Sequence, residues 1–418
     1  MSKSSIVTAP APEASFAATV AAGLIALAVA MGIGRFAFTP MLPLMIRSGS
    51  ADVAAGGWLA AANYAGYLAG ALGAARIPLA PRKTTLLSLA AIVLSTAAMG
   101  WTHAVPAWAL LRFVAGVASA WALVSTSVWC LEGLARFGRP AGVGMLYAGV
   151  GAGIALAGLY CWRAGAAEIA PESLWRQLGG LALAGLLAVA WLMGGAPARA
   201  AVARSPAIRA GDAAHAGGEV RAGDAVRAGT AAASVPWGLV ICYGALGFGY
   251  ILPATFLPVM AREVVDDPAV FGAAWPVFGT AAALSTVLAG MLLAGVPRRR
   301  LMAGSHALMA AGCVLPLLHL SAATVLAAAL LVGGTFMVAT MAGMQEAKAL
   351  AGADPTRALG RMTAAFAIGQ IAGPLLSSGW SRATHGEGGL DAALAVGALV
   401  LLASAAWLLR GGKGRSRG

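Results

Sequence analysis

Apolar residues gather along the chain into long runs separated by short polar gaps. The runs fall at about residues 17–46, 54–78, 84–102, 106–132, 141–162 and 174–195, then at 237–261, 269–295, 300–319, 321–349, 358–383 and 390–410. Each is close to the roughly 20 residues an α-helix needs to cross about 30 Å of hydrocarbon. None shows the short-period alternation of a membrane β-barrel, and inside lipid a helix satisfies its own backbone. The pattern predicts an all-α membrane protein with twelve transmembrane helices in two pseudo-symmetric six-helix bundles, over residues 17–195 and 237–410.

The segment over 196–236 differs. It repeats Arg209-Ala-Gly-Asp212, Arg221-Ala-Gly-Asp224 and Arg227-Ala-Gly229 and has no apolar face, which predicts a disordered cytoplasmic linker. Residues 1–16 read as a short tail before a retained first span rather than a cleaved signal, and 411–418 as a basic tail. Composition agrees with a lipid environment. Sixty per cent of the residues are hydrophobic and 10% charged, with mean hydropathy +0.82, against about 25% charged in a soluble domain.

The net charge of +13 could suggest nucleic acid, but the basic residues sit in the gaps between runs, not on one soluble face. Their distribution sets an orientation instead. A cytoplasmic N-terminus puts 21 lysines and arginines in inside segments and five outside; positive residues favour the cytoplasmic side. Both termini are therefore expected in the cytoplasm. Cys130, Cys161, Cys242 and Cys313 form no C-x-x-C pair, and the five histidines have no metal-ligand spacing. No cofactor, metal or catalytic constellation is expected, and the chain does not read as an enzyme.

The halves repeat. Gly32-Ile-Gly-Arg-Phe-Ala-Phe-Thr-Pro-Met-Leu-Pro-Leu-Met45 aligns without a gap with Gly247-Phe-Gly-Tyr-Ile-Leu-Pro-Ala-Thr-Phe-Leu-Pro-Val-Met260, and in the following runs Trp58 falls opposite Trp275. Parallel six-helix repeats are one way a secondary transporter builds a site between its halves. With Arg361-Met-Thr-Ala-Ala-Phe-Ala-Ile-Gly-Gln-Ile-Ala-Gly-Pro374, the first of these motifs resembles the YbfB/YjiJ-type branch of the major facilitator superfamily (MFS). Arg112-Phe-Val-Ala-Gly116 resembles the superfamily's R-x-x-x-G pattern. Gly70 through Lys83 resembles the loop after its second span, except that Ala74 stands where an acid would be. The resemblance implies the MFS fold, transport, and a bacterial inner membrane.

Two arginines, Arg35 and Arg112, lie well inside apolar runs. A mid-helix arginine costs about 2.5–3.5 kcal/mol on insertion scales, so such residues face a cavity or a partner. Both are read as lining a central cavity that attracts an anionic group, with helix carbonyls or snorkelling as the alternative. Asn63, Tyr67, Trp121, Tyr147, Tyr250 and Gln370 are candidates to complete the substrate site. Glu132 and Glu346 end the fourth and tenth runs in matching places and are expected to pair with loop arginines such as Arg139 or Arg361 at a gate. No acid lies near mid-membrane in any run. The expected partners are a small solute, anionic or zwitterionic rather than cationic, and the lipid bilayer, with a coupling proton left open and the chain acting as a monomer. A multidrug or cation exporter of the same fold and a non-transporting sensor or scaffold are the alternatives.

Overall fold

The polar gaps supply the helix starts. Proline opens helices at Pro81, Pro171, Pro268 and Pro355, where its missing N–H costs nothing. Asp52 accepts from the Ala55 N–H at 2.7 Å, and Ser321 and Thr324 form a reciprocal capping box. The computed structural model describes residues 15–139, 141–194, 235–264, 268–383 and 389–410. Its twelve helices are α1 Phe16–Arg47, α2 Val53–Gly73, α3 Pro81–Ala98, α4 Val105–Ala135, α5 Ala141–Ala166 and α6 Pro171–Gly194, then α7 Trp237–Val264, α8 Pro268–Leu292, α9 Arg298–Leu318, α10 Ala322–Leu350, α11 Pro355–Ala383 and α12 Gly389–Arg410. The described residues contain no strand. Apart from Ser15, Phe16, Val235 and Pro236, the tail over 1–16, the linker over 196–236 and the tail over 411–418 lie outside the described residues.

Among the described residues, nine helices are long and apolar enough to cross a membrane; α2, α3 and α11 are not counted among them. α3 begins on Arg82 and Lys83, and α11 carries Arg357, Arg361 and Gln370. α2 and α11 also pack against each other, so part of their surface faces protein rather than lipid.

Each half repeats one packing scheme. α1 packs on α5 as α7 does on α11, α2 on α4 as α8 on α10, and α3 on α6 as α9 on α12. Two seams join the halves, α5 with α8 and α2 with α11. In the first, Gly144, Gly151 and Gly158 recur every seventh residue along α5 and face Gly290, Gly279 and Pro276 of α8. A methyl group at any of the three would run into α8, and at Gly158 it would lie 2.9 Å from Pro276 Cδ. Lipid supplies no hydrophobic drive between helices, so close van der Waals packing of this kind helps hold the halves together.

α1 is the irregular helix. Its middle, Ala28–Phe36, is a π-helix between two α-helical segments, Phe16–Leu27 and Phe38–Arg47. Pro40, just beyond it, has no N–H to return to the preceding turn. The widened segment leaves carbonyls at Ala30, Gly34 and Arg35 accepting from other helices. π-segments of this kind often coincide with functional sites.

Candidate functional site

The exposed carbonyls of α1 are met by side chains of α2 and α4. Arg112 Nη1 donates to the Gly34 carbonyl and Nη2 to the Arg35 carbonyl, each at 3.1 Å. Ser119 donates to the Ala30 carbonyl at 2.7 Å. Asn63 Nδ2 donates to the Arg112 carbonyl at 2.9 Å and approaches the Gly34 carbonyl at 3.5 Å. The Arg112 guanidinium also lies 4.8 Å from the Phe38 ring centroid. Arg112 is 3% exposed and Asn63 is 1% exposed. Backbone carbonyls left bare in lipid cost several kcal/mol each, so these side chains stabilise the bend that presents Arg35.

Arg35 is in a different position. It is 3% exposed, and its Nη2 donates across the midline to Gln370 Oε1 of α11 at 2.7 Å. Its guanidinium stacks 3.8 Å from the Tyr67 ring centroid, with the Tyr67 hydroxyl also in interaction range. Tyr64 and Phe36 rings stand 5.6 and 5.4 Å away. Nε and Nη1 have no acceptor. Nearby, Gln370 Nε2, the Tyr250 hydroxyl and Trp275 Nε1 are buried without partners as well. All five of these atoms can donate a hydrogen bond, and four can only donate.

The far wall is aromatic and belongs to the second half. Tyr250 stacks on Phe336 with ring centroids 4.6 Å apart, Phe336 on Phe278 at 5.4 Å, and Phe278 on Trp275 at 5.4 Å. Trp275 reaches back to Phe36 of α1 at 6.5 Å. Between the halves, bordered by Met31, Phe36 and Tyr67 on one side and Tyr243, Phe336 and Phe366 on the other, a void of about 20 Å³ remains. That is room for about one water. The centre is closed around its polar groups.

The end of the bundle that carries the α2–α3 and α10–α11 loops is basic. A cleft of about 400 Å³ opens there between α2 and α11, lined by Arg76, Asp354, Arg357 and Arg361 among others. Beside it Ala74 lies against Gly360, where an added methyl would sit 3.4 Å from Ala74 Cβ and 3.0 Å from the Ala71 carbonyl oxygen. Small-residue contact stands here in place of the family pattern's acid.

Several expectations need correction. Arg112 takes up the alternative of helix carbonyls, donating through Nη1 and Nη2 to α1 with Nε unpartnered, and Asn63 supports the same turn. Trp121 Nε1 donates to the Gly70 carbonyl at 2.9 Å, pinning α4 to α2. The Tyr147 hydroxyl donates to Ser127 at 2.9 Å, inside the first half. Glu346 pairs with Arg299 at 2.9 Å and Arg298 at 3.8 Å, not with Arg361. The Arg361 guanidinium instead lies 4.5 Å from the Trp237 ring centroid. Arg139 lies 5.3 Å from the Phe16 ring centroid, and the charge of Glu132 is felt by Lys348 of α10. Arg35, Tyr67, Tyr250 and Gln370 do come together. Trp275, Phe278, Phe336 and Phe366 join them without having been singled out as site residues. Trp275 had one signal, its alignment with Trp58; the phenylalanines had none, because a phenylalanine in a membrane span reads the same facing lipid or facing a cavity.

Twelve helices in two repeated halves, joined by α5/α8 and α2/α11 seams around a buried polar centre, define an integral membrane protein with the fold of a major facilitator transporter. The chain belongs to the YbfB-type family of these transporters: the family model described as "Uncharacterised MFS-type transporter YbfB" matches residues 27–409. A comparison with curated protein sequences gives no match. Among solved structures, the chain is similar to the human organic anion transporter MFSD10 (TETRAN), with TM-score 0.65 and 14% identity over 93% of this chain and 98% of that one.

Proposed function

We propose that the chain is a secondary active transporter that moves a small anionic solute by alternating access, with Arg35 as the group that receives it. The supporting observation is the donor imbalance at the centre. Arg35 is buried between the halves with two nitrogens lacking acceptors, and no carboxylate meets it among the described residues. A buried charge costs several kcal/mol until a counter-charge arrives. A solute carboxylate supplies that charge and the missing acceptors together. The same imbalance disfavours a cationic cargo, which would meet a positive group and no acid. The likeness to an organic anion transporter concerns the fold alone. Both termini face the cytoplasm in this reading, and the closed centre is the occluded stage of the cycle.

The test is uptake of labelled organic acids by proteoliposomes under imposed ion gradients. Arg35→Gln is expected to lower uptake about 100-fold or more while the protein stays monodisperse. Normal uptake by that variant would remove Arg35 from the site.

A further inference from the structure

We infer that the solute is a monocarboxylate with a flat, apolar body: its carboxylate on Arg35, its body against the aromatic wall of the second half. This rests on the central site being the transport site and narrows what that site accepts.

A guanidinium binds carboxylates through either of two edges, and Nη2 contributes one hydrogen to each. Gln370 Oε1 takes one of those hydrogens, which leaves one complete edge open. Arg112, the other buried arginine, has Nη1 and Nη2 donating to the Gly34 and Arg35 carbonyls of its own half and Phe38 over its face, with Nε unpartnered. Arg35 is therefore the cation that reaches the second half, through Gln370, with room for one carboxylate. A second anionic group would have only Arg112, already committed to two α1 carbonyls, as its counter-charge. An ammonium would meet Arg35 and no acid, so a zwitterion is also poorly matched. The remaining unpartnered donors, Gln370 Nε2, Tyr250 Oη and Trp275 Nε1, are neutral and suit the oxygens of one carboxylate or a polar ring substituent.

Trp275 and Phe278 are 7° from parallel, Tyr250 and Phe336 19°, Phe278 and Phe336 21°, and Tyr250 and Phe366 23°. The near-parallel rings of α7, α8, α10 and α11, with Tyr250 and Phe278 at 40°, form an aromatic wall that meets the central void through Phe336 and Phe366, and such rings favour an offset-stacked planar guest. Met31, Met337 and Met344 border the same void, and unbranched thioethers adapt to such a guest better than branched side chains do. A compact polar acid would leave that surface unused.

The experiment uses full-length protein in nanodiscs, titrated with four probes: 2-naphthoate, hexanoate, naphthalene-2,6-dicarboxylate and 2-naphthylmethylammonium. Calorimetry should show 2-naphthoate binding at least ten-fold tighter than each of the others. Arg35→Gln should weaken it about 100-fold. Tyr250→Phe, which keeps the ring, should weaken it about ten-fold. Phe336→Leu should shrink the preference for naphthoate over hexanoate to under three-fold without abolishing hexanoate binding. Equal or tighter binding of hexanoate or the dicarboxylate overturns the inference and leaves an anion site standing. Tightest binding of the ammonium probe overturns the anion reading itself. No binding of any probe by monodisperse protein overturns both.

Discussion

At matching places in the repeat, α1 reads Gly32-Ile-Gly-Arg-Phe and α7 reads Gly247-Phe-Gly-Tyr-Ile, so Arg35 and Tyr250 are counterparts. The glycines do the same work in both. Gly153 of α5 lies against the Ala28 carbonyl and Gly32; Gly369 of α11 lies against the Gly244 carbonyl and Gly247. The residues that follow them diverge: Ile154 in α5, Gln370 in α11. Pro40 of α1 faces Thr255 in the alignment, and α1 has the π-segment while α7 is α-helical throughout. Close backbone packing is thus common to the halves, and the chemistry is divided between them. The first half supplies the charge, together with the donors from α2 and α4 that hold the distorted helix. The second supplies the amide and the rings.

The sharpest way to break this comparison is to separate the two arginines by stability. Arg112→Leu leaves the Arg35 carbonyl without its side-chain donor and the Gly34 carbonyl with only the 3.5 Å contact to Asn63, at about 1–3 kcal/mol each. It is expected to destabilise the protein by about 2–6 kcal/mol, seen as a lower thermal midpoint in detergent or loss of folded yield. Arg35→Gln removes an uncompensated charge, so its midpoint should stay level or rise. Equal midpoints for the two variants would mean that the α1 carbonyls do not depend on Arg112.

A smaller effect is expected at the bond between the halves. Gln370→Glu converts the 2.7 Å contact with Arg35 into a charge-assisted one and occupies the cation. Uptake should fall about ten-fold while the thermal midpoint rises; unchanged uptake would show that solute never competes for that nitrogen. The mildest test compares the paired tryptophans. Trp58 is 71% exposed and Trp275 joins the aromatic wall. Trp275→Leu should weaken uptake several-fold, and Trp58→Leu should change it less than two-fold. Equal losses would place the symmetry axis of the site elsewhere.

The helices and their division into halves are legible from the apolar runs, and Arg35 from a charge where lipid should be. Gln370 is legible for a related reason, as an amide that needs a partner. The role of Arg112 is not, because a buried arginine that serves a ligand and one that serves a carbonyl look alike until the π-turn of α1 is seen. The gate pairs fail for another reason. Glu346 reaches Arg299 across 47 residues of sequence and Arg298 one residue further, and spacing cannot rank them above the nearer Arg361. The aromatic wall is hidden because phenylalanine costs lipid nothing.

An arginine buried without an acid also has an electrical consequence. Once a monoanion settles on Arg35, that charge is cancelled and Arg112 alone of the buried pair stays uncompensated; after release both are positive. A voltage of 100 mV acts on a full elementary charge with about 2.3 kcal/mol. The membrane potential would then bias the empty carrier's return more than the loaded step, so turnover would respond to voltage even with no coupling ion in the cycle.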